Sequence, residues 1–131
     1  MTNVTRRFVL GGLAGLCAPL PAAARWKPEY AQLPKEVVDW YQTRKLTKAT
    51  QKRLRVSWDS CCSNADVVKT RFRVSRVDND DIWEYELPDG TWKEVPADII
   101  HWGDHSPSGD AVLFAVSSHG PVCFFPPRSG Q

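Results

Sequence analysis

Three cysteines constrain this chain more than any other feature. Cys61 and Cys62 are neighbours, and Cys123 lies close to the far end of the 131-residue sequence. Adjacent α-carbons sit about 3.8 Å apart across a trans peptide, below the roughly 4.4 Å that an unstrained disulfide spans. The neighbours are therefore poor partners for each other, and the expected bridge joins Cys123 to Cys61 or Cys62. The sequence leaves that choice open. Either pairing closes a loop of about 60 residues, which the chain-entropy argument values at ~4 kcal/mol.

A bridge presupposes an oxidising compartment, and the N-terminus supplies the address. Arg6-Arg7 stands directly before an apolar run from Phe8 to Leu20, and Ala22-Ala23-Ala24 follows Pro21. A basic start, a short apolar middle and small residues at the end predict an export signal over residues 1–24. Thr5 and Leu10 around the two arginines make it twin-arginine-like, although general secretion needs only the charge and the apolar run. Cys17 follows Leu16, where a lipidation signal wants a small residue, so it is expected to leave with the signal. The mature chain is then a single domain, 25–131, periplasmic or secreted. No apolar stretch approaches the roughly 20 residues that cross a bilayer, so no transmembrane span is expected.

Charge divides the mature chain in two. Residues 25–76 carry 13 basic and 5 acidic side chains, whereas 77–131 carry 2 and 10. Two halves of opposite sign either neutralise each other on folding or leave one of them to a charged partner. The densest basic stretch, Arg44–Arg55, has no acidic residue, and too little in it is apolar to bury; it is expected as an exposed connection, with a helix over part of it as the alternative. Its Lys45, Lys48, Lys52 and Arg53 are the candidates for binding an anionic partner.

The apolar period changes along the chain. Pro34 suits a first helical turn. Val37, Trp40, Tyr41 and Arg44 recur at helical spacing, predicting a helix over about 34–45. From Arg71 to Val77 the pattern alternates, with Phe72, Val74 and Arg76 on the expected inner face. Ile82–Leu87 and Thr91–Val95 flank Pro88-Asp89-Gly90, a hairpin signal because Asp-Gly accepts the positive φ of tight turns. Ala111–Val116 and Val122–Phe125 are two further apolar runs, and a frayed tail is expected from about 126. One N-terminal helix followed by a small antiparallel sheet of four or five strands is an α+β fold.

Little here carries catalytic chemistry. There is no G-x-S-x-G elbow, no C-x-x-C and no phosphate-binding glycine loop. Asp78, Asp80 and Asp81 lack the glycine and closing glutamate of a calcium loop. Thiols and imidazoles are the ligand types that copper and zinc favour, so Cys61, Cys62 and His105 form the alternative to a simple bridge, as a metal set. Trp83, Tyr85 and Trp92 are expected in the core, with a surface platform for a sugar or peptide as the other reading.

Cys61-Cys62 with Ala65-Asp66, Trp92-Lys93-Glu94-Val95-Pro96 with Ile99-Ile100, Pro107-Ser108-Gly109 and Val122-Cys123-Phe124 together carry a resemblance. Over about residues 37–127 the chain resembles small exported alphaproteobacterial proteins of unknown function that have a Cys-Cys segment and one late Cys. The resemblance implies an exported domain with those cysteines and no particular activity. The functional expectation is a non-catalytic binding or envelope-accessory domain without a cofactor. Its partner would be an envelope component such as anionic lipid or glycan, not nucleic acid; a thiol- or copper/zinc-dependent periplasmic protein is the alternative.

Overall fold

The computed structural model describes residues 28–63 and 65–128. The expected export segment, 1–24, and the expected mature start at Arg25 lie outside the described residues. The fold is α+β, with two α-helices and two three-stranded antiparallel sheets in place of the expected single helix and single sheet.

After a 3-10 turn at Pro28–Gln32, helix α1 runs from Lys35 to Thr43. Pro34 contributes the first acceptor, taking the amides of Val37 and Val38 at 3.0 and 3.2 Å. Val37, Val38 and Tyr41 are buried, and Trp40 packs beside them. Helix α2, Lys48–Leu54, occupies the stretch expected as an exposed connection, for which a helix over part was the alternative. Its anchor is polar, which hid it from an apolar count. The Thr47 hydroxyl caps the helix by accepting the Thr50 amide at 3.0 Å. The Thr47 and Thr50 hydroxyls both donate to the Asp98 carbonyl, at 2.7 and 2.9 Å.

The strands are β1 (Asp66–Val67), β2 (Phe72–Val77), β3 (Asp80–Glu86), β4 (Trp92–Glu94), β5 (Val112–Val116) and β6 (Gly120–Phe125). One sheet has the order β1-β5-β6 and the other β2-β3-β4. Their turns follow local chemistry. Asp78 and Asn79 take positive φ, 52° and 71°, as the two-residue β2–β3 hairpin requires. At β3–β4, Gly90 has φ 89°, and Asp89 accepts both the amide and the hydroxyl of Thr91.

The β5–β6 pair is the centre of the molecule. Phe114, Cys123 and Phe125 pack with α1, Tyr30 and Cys61 on one face. Leu113 and Phe124 pack on the other with Tyr85, Val95, Ile99 and Ile100. Burial on both faces explains why these strands read as continuous apolar runs without alternation. The two sheets part where β4 ends and the chain turns through a 3-10 segment at Ala97–Ile99, and β5 pairs with β1 and β6.

The β2–β3–β4 ribbon is more open than the alternation of β2 suggests. Phe72 is partly buried against Phe124, but Val74 is 47% exposed and Arg76 is exposed too, so the expected inner face of β2 is covered at one end only. The tail differs as well. Arg128 donates its amide to the Gly109 carbonyl at 3.0 Å and its guanidinium to the Ser106 carbonyl at 3.2 Å, so the chain expected to fray from 126 is held through 128.

The disulfide joins Cys61 to Cys123, with α-carbons 5.9 Å apart and both residues fully buried. It fastens the turn after α2 to the middle of β6. Non-reducing peptide mapping is expected to recover a Cys61–Cys123 cross-link, with Cys62 alkylated only after denaturation. Replacing both bridge residues by Ala is expected to cost about 4 kcal/mol, read as a shift in the denaturant midpoint.

Candidate functional site

Seven ion pairs lie among the described residues, and five of them join a basic side chain of 25–76 to an acidic one of 77–131. Arg71, Arg73 and Arg76 of one half meet Glu86, Glu84 and Asp81 of the other across the β2–β3 hairpin. Arg44 meets Asp104, and Arg53 meets Asp98. Much of the charge division is thus neutralised by folding. Of the four candidates for an anionic partner, Lys45 is paired with Asp59 and Arg53 with Asp98. Lys48 and Lys52 stand exposed on α2 without an ion pair among the described residues. The structure does not assemble the four as one open basic patch.

Two other places concentrate functional groups, and one short segment builds both. Ile100 forms a parallel bridge with Phe124, and the His101 amide donates to the Phe124 carbonyl at 2.9 Å. Extended backbone sends successive side chains to opposite sides. Ile100 and Trp102 line a surface groove of about 360 Å³, together with Asp80, Asp81, Trp83 and Glu94. Trp102 is 59% exposed. Asp81 is engaged by Arg76 at 3.2 Å, whereas Asp80 and Glu94 make no ion pair among the described residues. The indole N–H of Trp83 is buried and has no hydrogen-bond partner among the described residues.

His101 turns the other way. Its ring stacks on Phe125, with centroids 4.3 Å apart and planes 23° apart. One ring nitrogen and the sulfurs of Cys61 and Cys123 all lie within 4.8 Å of one another. The Nε2 atom is buried without a hydrogen-bond partner among the described residues. Around this centre the Arg44 carbonyl accepts the Cys61 amide at 2.9 Å, and the Arg44 guanidinium meets Asp104 at 2.7 Å. Trp40 donates its indole N–H to Asp104 at 3.4 Å and meets Phe125 edge-on, with centroids 4.7 Å apart. Burial pulls the His101 pKa below its ordinary value; Asp104 opposes that shift and Arg44 adds to it.

The metal set Cys61, Cys62 and His105 is not brought together. The Cys62 sulfur lies 3.9 Å from the Tyr30 hydroxyl, and His105 Nδ1 is 2.9 Å from the Pro126 carbonyl oxygen. Cys61, His101 and Cys123 are the group of three that the described residues do assemble. The aromatic trio expected in the core is divided: Tyr85 is buried, Trp83 packs on Phe124, and Trp92 lies under the guanidinium groups of Arg71 and Arg73. Sequence alone does not single out Trp102, and it favours His105 over His101 among the three histidines. The alternation Ile100-His101-Trp102 was readable, but nothing local shows that Phe124 would hold it.

No family model matches the chain, and neither a curated protein nor a solved structure matches it.

The His101 shift has a stability consequence. The unfolded imidazole binds a proton as pH falls through about 6.5, while the folded one resists until lower pH, so stability is lost on acidification from that point. In His101→Gln this contribution is absent. Denaturant midpoints measured from pH 7.5 down to pH 5 are expected to fall less in His101→Gln than in the unmodified protein.

Proposed function

We propose that the chain is an exported binding domain that holds a neutral glycan of the cell envelope in the Trp102 groove. Export rests on the Arg6-Arg7 signal over residues 1–24. The observation that carries the binding reading is Trp102, 59% exposed on a groove of about 360 Å³ that also bears carboxylates. A large exposed indole at the edge of a concave site offers a flat stacking face beside hydrogen-bond acceptors. Indole faces stack on the C–H faces of sugar rings, and carboxylates accept hydrogen bonds from sugar hydroxyls. Asp80, Asp81 and Glu94 repel anionic polymers, so the groove favours a glycan without charge. The anionic-lipid reading retains only Lys48 and Lys52 of its four candidates outside ion pairs.

A neutral β-1,4-linked N-acetylglucosamine tetramer is the probe, titrated into the mature protein while tryptophan fluorescence and heat are recorded. Saturable binding that changes little with salt is expected, weakened about tenfold or more by Trp102→Ala, as for a central aromatic anchor. Absence of binding, or equal binding by Trp102→Ala, would overturn the proposal. A parallel arm uses phosphatidylglycerol vesicles. Vesicle binding that collapses with salt and disappears in Lys48→Glu/Lys52→Glu, with no tetramer binding, would replace the glycan by an anionic surface.

A further inference from the structure

The bridge centre holds more than a structural disulfide needs. Cys61 comes from the turn after α2, Cys123 from the middle of β6, and His101 from the segment hydrogen-bonded alongside β6. Both sulfurs and one imidazole nitrogen fall within 4.8 Å of each other. A disulfide has no use for that imidazole. Its Nε2 is buried with no partner, a desolvation that the described structure does not offset.

We propose that in its reduced form this centre is a copper(I) site, with the thiolates of Cys61 and Cys123 and the imidazole of His101 as ligands. Disulfide and metal site are then alternative states of the same three side chains. A small dithiol breaks the Cys61–Cys123 bond, giving its two electrons and two protons to the sulfurs and becoming a disulfide itself. Copper(I) then displaces one proton from each thiol. Taking thiolate–metal bonds as about 2.3 Å, the two sulfurs must part to about 4 Å. The bonded sulfurs therefore have to move apart on reduction, while the His101 nitrogen already lies within 4.8 Å of both.

The donor set favours copper(I) over zinc. Two thiolates and one imidazole are soft to borderline ligands, and three of them satisfy copper(I). Zinc requires a fourth, either a protein atom or a water. No fourth Cys, His, Asp or Glu joins the group among the described residues, and both sulfur-bearing residues are fully buried. His101 is only partly buried, which gives the ion an approach past the imidazole edge.

The test uses the mature chain, reduced anaerobically and titrated with copper(I) against a chromogenic copper(I) chelator, with zinc(II) in a parallel arm. One copper(I) per chain is expected, with the thermal midpoint rising on loading and no uptake by the oxidised protein. Cys62→Ser should retain this behaviour, while His101→Ala should lose affinity tenfold or more. The midpoint rise in Cys62→Ser keeps the test valid even where the reduced apoprotein is loosely folded. Failure to compete with the chelator, equal affinity in His101→Ala, loss in Cys62→Ser or preferential uptake of zinc would each overturn the proposal. All of these outcomes are independent of glycan binding at Trp102.

Discussion

One covalent contact governs how the layers of this molecule meet. Strand β6 is buried on both faces, and the Cys61–Cys123 bridge leaves it from the face that carries Phe125. The bridge draws in the segment from Arg44 to Cys61. At one end Cys61 donates its amide to the Arg44 carbonyl, and Leu46 donates to the Asp59 carbonyl at 2.7 Å. Helix α2 is thereby closed into a loop whose ends are pinned together beside the core. On the opposite face of β6, Phe124 carries the ribbon through Phe72 and Trp83. A chain of this size has little apolar area to spare, so a cross-link between layers replaces burial that a larger core would provide.

Electrostatics follows the same economy. The arginines of β2 face acidic partners one strand away, and Arg73 also covers Trp92 with its guanidinium 4.3 Å from the ring centroid. Exposed pairs of this kind add little stability singly. Their effect is to remove a field: with the two halves matched across β2–β3 and across Arg44–Asp104 and Arg53–Asp98, less of the surface can steer a highly charged partner. What the surface retains is local, an exposed indole beside carboxylates on one side of the Ile100–Trp102 segment and a sulfur–imidazole cluster on the other.

How much of this was legible in the sequence depended on range. The β2–β3 and β3–β4 turns were readable because Asp78-Asn79 and Asp89-Gly90 state their backbone needs locally. Helix α1 was readable because Val37 and Tyr41 repeat at helical spacing. The need for a bridge to Cys123 was readable from the geometry of adjacent cysteines, but the choice of Cys61 over Cys62 was not, since a turn can present either. Helix α2 was hidden because two threonine hydroxyls on the Asp98 carbonyl, and not an apolar stripe, hold it in place. The division into two sheets was hidden because a strand covered on both faces has no alternation to reveal its neighbours. His101 and Trp102 acquire their positions only from pairing with Phe124, more than twenty residues away, a contact that local pattern does not encode.

The bridge thus pins the 44–61 segment to β6, while the ribbon is held only through one face of that strand. Residue-resolved hydrogen exchange of the mature protein, oxidised and reduced, tests it most directly. In the oxidised protein the amides of Leu46, Cys61 and the β5–β6 ladder are expected to be the slowest, and those of β2 to exchange far faster. On reduction, Leu46 and Cys61 should accelerate most. Equal protection of β2 and β6 in the oxidised protein, or an acceleration confined to the ribbon on reduction, would contradict it.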